Sequence, residues 1–173
     1  MVRGLVLVIT LLMQSPLAWA WQEPAEFVGV RWGDSVALLK RVNEAAKKDL
    51  YRCAEADRGP LPPVACLTEF SWFNVPVKGT FRFRPGAGFV GADLQFWSAR
   101  FGEMKRGLIE TYGPPTQEDQ QRRTTPGGLP YVNEVFRWHG VKVQMNLQRY
   151  PVDFFSDSEF LIMLTEEMER QYR

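Results

Sequence analysis

The sequence predicts an α+β fold, a two-layer sandwich in which a mostly antiparallel sheet carries two main helices on one face. Two stretches with apolar residues every three or four positions predict the helices, and runs of alternating apolar and polar residues predict the strands. Because the strands follow one another after short turns, neighbouring strands must be antiparallel. Two helices that cover one face of such a sheet make two layers.

The composition suits one folded domain. The chain has 173 residues, 45% hydrophobic and 24% charged, which excludes disordered, collagen-like and disulfide-dense classes. It carries 21 basic and 20 acidic side chains. Nucleic acids and anionic membranes select proteins with a surplus of positive charge on one face, so we expect neither as a partner.

The first twenty residues predict a cleavable secretory signal. Arg3 precedes an apolar stretch over residues 5–13, and small residues flank Trp19 in the segment 18–20. The alternative is a membrane anchor, but nine apolar residues are too few to cross a bilayer as a helix. We therefore expect cleavage after Ala20, one soluble domain over residues 21–173, and a periplasmic or secreted location.

The two cysteines of the chain, Cys53 and Cys66, predict a structural disulfide, because an exported protein meets an oxidising compartment. The alternatives are a redox pair and a metal site. Redox cysteines usually lie two residues apart at a helix start, and a metal needs more soft ligands than these cysteines and His139 supply. We expect a bridge that closes a turn-rich loop, and no cofactor or metal.

The first elements are a strand and a helix. Residues 27–32 predict a short strand that Gly33 ends, after which Asp34 or Ser35 is expected to cap a helix. The apolar positions of this helix are Val36, Leu39, Val42, Ala46 and Leu50.

Three strands follow. Residues 67–74 are rich in aromatic side chains, 75–76 predict a turn, and 77–84 alternate between apolar and polar side chains. Residues 85–88 predict a second turn, since two glycines and a proline supply backbone angles that a strand cannot adopt. Residues 89–97 predict the returning strand.

A second helix is predicted from Ser98 to Tyr112, with Phe101, Met104 and Leu108 on its inner side. Gly113 and the two prolines after it end this helix. The polar stretch 116–130 predicts a long loop that is either mobile or functional.

The last third predicts three more strands, at 131–138, 141–150 and 160–165, and a short helical tail. His139 and Gly140 form the turn of the first hairpin. Alternation in 141–150 places Val141, Val143, Met145 and Leu147 inward and Lys142, Gln144, Asn146 and Gln148 outward. After one extra strand at the front, the two helices and the other six strands follow a repeated order, a helix and then three strands, which suggests tandem halves.

Several short motifs resemble those of a group of small uncharacterised bacterial exported proteins. The motifs are Gly29, Trp32 and Gly33 at the start, the cysteine pair, Tyr112-Gly113-Pro114-Pro115, Trp138 before a glycine turn, and Arg149-Tyr150. That group has no activity to carry over. The repeated helix-plus-sheet order is more loosely similar to periplasmic interaction modules of the β-barrel assembly lipoprotein and β-lactamase inhibitor types. The lipid-anchoring cysteine of those lipoproteins is missing from this sequence.

Motifs for catalysis are missing from the sequence, which has neither a zinc-binding His-Glu-x-x-His nor a Gly-x-Ser-x-Gly nucleophile turn. Its one histidine, His139, lies in a predicted turn, where a solvated role is more common than that of a base. We therefore expect a binding module without catalytic activity. The alternative is a cell-envelope hydrolase with an unrecognised carboxylate site.

The sheet face away from the helices is the predicted binding surface. Its candidate residues are Arg82, Arg84, Lys142, Gln144, Asn146 and Gln148, together with Phe154 and Phe155 in a loop. Polar side chains of this kind suit a polar partner surface or a glycan, and exposed aromatic residues dominate protein hot spots. The alternatives are an ordinary solvated sheet face and phenylalanines packed under the sheet. The expected partner is another envelope protein or envelope component.

Overall fold

The structure is a computed structural model that describes residues 21–47, 50–55, 64–151 and 157–171. The helices are α1 (Ala37–Ala46), α2 (Phe101–Tyr112), which a 3-10 turn (Ser98–Arg100) precedes, and α3 (Thr165–Gln171). The strands are β1 (Glu26–Phe27), β2 (Val30–Arg31), β3 (Arg52–Glu55), β4 (Val64–Trp72), β5 (Val75–Arg84), β6 (Gly88–Trp97), β7 (Gln117–Thr124), β8 (Pro130–His139), β9 (Val143–Gln148) and β10 (Asp157–Leu164).

Eight strands form one sheet in the order β3-β4-β5-β6-β10-β9-β8-β7, with antiparallel pairing throughout, and β1 and β2 form a separate small hairpin. The predicted α+β class, with a mostly antiparallel sheet and two main helices, is confirmed. No helix among the described residues has the length and apolar character needed to cross a membrane.

One face of the sheet carries the hydrophobic core. Strand β5 buries Val75, Val77, Phe81 and Phe83, and β9 buries Val143, Met145 and Leu147. Leu39 of α1, Met104 and Leu108 of α2, and Phe27 of the small hairpin belong to the same cluster. Both main helices and the hairpin therefore lie on one side of the sheet, and we call the other side the open face.

The described part of the main sheet divides into two halves with the same element order, each a helix followed by four strands. The prediction of three strands in each half was wrong by one. The halves join where β6 meets β10, with Leu94 opposite Phe160. The same pattern occurs near the end of the second strand of each half, as Phe70-Ser71-Trp72 at the end of β4 and as Phe136-Arg137-Trp138 one residue before the end of β8. This recurrence at equivalent positions supports the tandem arrangement.

The predicted loop 116–130 is mostly strand. Residues 117–124 form β7, which pairs with β8 along its full length and forms one edge of the sheet. Its sequence is polar on both faces because most of its side chains reach solvent. Charged edge strands of this kind resist edge-to-edge aggregation, and they lack the apolar alternation that would predict a strand.

Two turns differ from the prediction. The segment 27–32 is a hairpin and not one strand, because Val28 and Gly29 both adopt positive φ between β1 and β2. The turn after β4 falls at Phe73 and Asn74, whose φ angles are also positive, so that residues 75–76 begin β5. Paired positive φ angles match the twist of a two-residue hairpin loop.

The helix starts and one strand start also differ. Helix α1 begins at Ala37 without a side-chain cap, because Asp34 instead accepts a hydrogen bond from the backbone N–H of Arg31. Ser98 is the first residue of a 3-10 turn, and α2 begins after this turn, at Phe101. Val141, predicted to point inward, is 87% exposed because it lies in the turn before β9.

The segment before β1 is anchored to the β8–β9 turn by Glu23. Its carboxylate accepts hydrogen bonds from the backbone N–H groups of Val141, Lys142 and Val143 at 2.7, 2.8 and 3.0 Å. Desolvation alone would raise the pKa of Glu23, but these backbone hydrogen bonds outweigh it and lower the pKa. The start of the described chain is thus held against the second half.

The predicted disulfide is confirmed, since Cys53 and Cys66 are bonded. They are direct cross-strand partners in β3 and β4. At the two ends of the predicted loop, the strands extend to Glu55 and from Val64, and residues 56–63 lie outside the described residues. Such a bridge fits a protein of an oxidising compartment.

Candidate functional site

The open face displays residues of both halves on one surface. Cross-strand pairing arranges them in rows that run across the sheet. One row contains Glu69, Lys78, Gln95, Glu159 and Gln148, and the next contains Leu67, Thr80, Asp93, Leu161 and Asn146. Since β6 and β10 are central, side chains that lie more than sixty residues apart in the sequence become neighbours here.

Most of the predicted binding residues belong to this face. Arg82 and Arg84 lie on β5, and Gln144, Asn146 and Gln148 lie on β9, all partly buried. Lys142 is exposed in the turn before β9. Phe154 and Phe155 fall outside the described residues. The two arginines are engaged in ion pairs within the protein, which the sequence did not indicate.

Arg84 binds the C-terminal helix. Its guanidinium lies 2.7 Å from the carboxylate of Glu167 in α3, and the Glu167 side chain is only 9% exposed. Met163, which precedes α3 on the same side of β10, is fully buried. Helix α3 therefore closes one end of the open face, and Arg84 serves to hold it there.

Arg82 belongs to a cluster at the centre of the open face. It donates a hydrogen bond to Asp93 of β6 at 2.7 Å, and these two side chains are 13% and 17% exposed. Glu159 of β10 is the diagonal neighbour of Asp93, because it pairs with Gln95 while Asp93 pairs with Leu161. Two carboxyl groups and one guanidinium thus share a partly desolvated position where the two halves meet.

The cluster changes the protonation of Glu159. Burial and the negative charge of Asp93 raise the pKa of Glu159 to about 7, although Arg82 opposes the shift. A carboxyl group with this pKa carries a proton for part of the time at neutral pH. The centre of the face can therefore change its charge near physiological pH.

We expect Glu159→Gln to remove a pH dependence of stability. Because the pKa of Glu159 is higher in the folded protein, its contribution is fully present below the unfolded value of 4.5 and is lost as the pH rises through about 7. After allowance for solvent screening at this partly exposed site, the loss between pH 5 and pH 8 should be about 1–2 kcal/mol. Urea unfolding at both pH values measures it.

The matched control is Glu110→Gln, which removes an exposed carboxyl group of α2. This control should keep the pH dependence of the wild-type protein, whereas Glu159→Gln should flatten it. Equal pH dependence in the wild type and in Glu159→Gln would contradict the raised pKa.

The grooves of the open face lie mainly on the first half. One groove of about 280 Å³ has Arg52, Leu67, Glu69, Lys78, Thr80, Asp93 and Gln95 in its lining. A second groove of about 280 Å³ includes Glu69, Pro76, Lys78, Gln95, Trp97 and Asp157. They share Glu69, Lys78 and Gln95, so they form one continuous depression. The predicted amides of β9 do not line it.

Two apolar side chains at this depression, Trp97 and Leu67, are unusually exposed, at 64% and 50%. Neither residue was among those predicted to bind a partner. Both occupy positions that alternate with buried neighbours, Phe96 and Cys66, and this alternation is the signal that could have placed them on the open face. An exposed tryptophan on a sheet face is typical of an interaction surface.

No group of three His, Cys, Asp or Glu side chains within the described ranges could hold a metal ion. His139, the one histidine of the chain, ends β8 and is exposed, and its backbone N–H donates to the hydroxyl of Thr116. The described side chains of the open face offer hydrogen bonds, ion pairs, aromatic stacking and the carboxyl pair.

Comparison of the chain with protein-family models, with curated proteins and with solved structures finds no significant match.

Proposed function

We propose that the protein is a periplasmic or secreted binding module without catalytic activity, and that it docks another envelope protein on its open face. The observation that carries this proposal is the one-sided construction of the molecule. Both main helices and the small hairpin pack on one face of the sheet, while the other presents Trp97 and Leu67 to solvent.

The size of the open face suits a protein partner. Eight strands spaced about 4.8 Å apart and about eight residues long span about 34 by 27 Å, or about 900 Å². A standard protein interface buries about 800 Å² on each partner. Helix α3 closes one end of this area and Val135 of β8 is fully buried, so the surface left for a partner is smaller than this and lies mainly on β4, β5 and β6.

The export of the chain belongs to the same proposal. The apolar segment 5–13 and the small residues of 18–20 support a secretory signal, and the Cys53 to Cys66 bridge supports an oxidising destination.

Site-specific crosslinking tests the proposal. A photoreactive amino acid at Leu67 or at Asn146 samples the two halves of the open face, and one at the exposed Glu110 of α2 is the matched control. We expect one envelope protein to be crosslinked in cells of the source organism from both open-face positions and not from α2. Crosslinks from α2 alone, or none from the open face, would refute the proposal.

The carboxyl pair favours one alternative, a cell-envelope hydrolase. A protonated Glu159 beside Asp93 could act as a general acid. The ion pair between Arg82 and Asp93 makes this less favourable, because it holds one of the two carboxylates in an internal contact. Turnover of a glycan or peptide panel that Glu159→Gln abolishes would favour the hydrolase.

A further inference from the structure

One end of the open face combines an exposed aromatic ring with a carboxylate. Trp97 is the one aromatic residue among the well-exposed large apolar side chains of the described chain. Its direct cross-strand partner on β10 is Asp157, and the groove beside it also contains Pro76 of β5. The ring and the carboxylate therefore lie side by side on neighbouring strands.

The charge at this end of the depression is negative. Asp157 and Glu69 are exposed, and neither has an ion-pair partner within 4.0 Å in the part of the chain that the structure describes. Lys78 lies directly across from Glu69 in the β4–β5 ladder and offsets one of these two charges. Within the described ranges, Asp157 beside Trp97 is left without a direct ion-pair partner.

We propose that Trp97 and Asp157 form a seat for an arginine side chain of the docked partner protein. This inference rests on the proposed function and specifies the chemistry of the partner at one point. A planar guanidinium stacks on an indole face and at the same time donates paired hydrogen bonds to a carboxylate. The indole face of Trp97 and the carboxylate of Asp157, which would contact such a group, are adjacent here.

Other side chains of a partner fit this position less well. An apolar side chain over Trp97 would remove Asp157 from water without giving it a hydrogen-bond donor, which is unfavourable. An acidic side chain would be repelled by Asp157 and Glu69. A lysine would satisfy the charge, but its point charge offers neither the planar stacking nor the forked hydrogen bonds of arginine.

Titration of the purified protein with short blocked peptides tests the seat. The probes are acetyl-Gly-Arg-Gly-amide and the same peptide with Leu or Glu in the middle. Binding is followed by the NMR signals of the Trp97 indole N–H and of the backbone amides around Asp157, which remain observable when Trp97 is replaced. We expect a saturable shift with the arginine peptide, with Kd in the range of about 1–10 mM. Trp97→Ala and Asp157→Asn should each weaken binding about fivefold or more, while Trp97→Phe retains part of it.

Glu110→Gln on α2 is the control and should leave the titration unchanged. The absence of a saturable shift up to about 20 mM would overturn the seat, as would an equal response to the leucine peptide or to a chitotetraose probe. The crosslinking experiment separates this failure from failure of the proposed function. If Leu67 still crosslinks a partner while the arginine peptide does not bind, only the arginine seat is wrong.

Discussion

Replacement of Phe27 by alanine is expected to lower the free energy of unfolding by about 3–5 kcal/mol. Phe27 is fully buried, and its ring centroid lies 5.2 Å from that of Trp72, 5.8 Å from Phe81 and 6.1 Å from Phe160. These partners belong to β4, β5 and β10, so one ring from the small hairpin contacts three strands of the sheet. Truncation would leave a cavity at the centre of the core.

The Phe27→Ala variant also tests how the small hairpin is held on the main sheet. Strands β1 and β2 have two residues each, and a hairpin of this size is not stable alone in water. Its attachment therefore depends on the burial of Phe27 and on the Glu23 contacts described above. Urea unfolding followed by tryptophan fluorescence measures the loss of stability.

Val28→Ala is the matched control, because Val28 is the next residue of the hairpin but is exposed. It should change stability by about 0.5 kcal/mol or less. If the free energy of unfolding of Phe27→Ala lies within about 1 kcal/mol of the wild-type value, the hairpin is not part of the core in solution. The helix-bearing side of the sheet would then be less fully covered than the structure indicates.

The parts of the fold that local alternation specifies were predicted from the sequence. In β5, Phe81 and Phe83 alternate with Arg82 and Arg84, and the structure buries the first pair and places the second on the open face. The end of α2 was predicted because Gly113, at φ 90°, is followed by two prolines. In each case the deciding signal lies within a few residues.

The parts that depend on long-range pairing were not predicted. Asp93 and Glu159 meet only because β6 pairs with β10, and no local pattern in either strand identifies the other as its neighbour. The ion pair of Arg84 with Glu167 has the same origin. Strand β7 was missed for a different reason, since an edge strand in water needs no apolar face.

The same distinction explains which site residues were selected. The sequence indicated which positions of β9 point away from the core, and Gln144, Asn146 and Gln148 lie there. It did not show that the depression lies across β4, β5 and β6, because the shape of a surface depends on how neighbouring strands are stacked. Trp97 therefore becomes a candidate binding residue only in the assembled sheet, where Asp157 lies beside it.

Reduction of the Cys53 to Cys66 bridge is expected to lower the free energy of unfolding by about 3 kcal/mol. The two cysteines are separated by 13 positions, and a crosslink of this span restricts the unfolded chain. The bridge also joins β3, an edge strand of four residues, to β4. Urea unfolding of the oxidised protein with and without dithiothreitol measures the difference.

The double variant Cys53→Ala, Cys66→Ala separates the bridge from other effects of the reductant. It should be about as unstable as the reduced protein, with a further small loss from Cys66, which is fully buried in the core, and dithiothreitol should not change its unfolding. Oxidised and reduced wild-type protein with the same urea midpoint would contradict the prediction. In that case the four residue pairs between β3 and β4 would be enough to hold this edge strand. The bridge would then be no structural support for an oxidising destination.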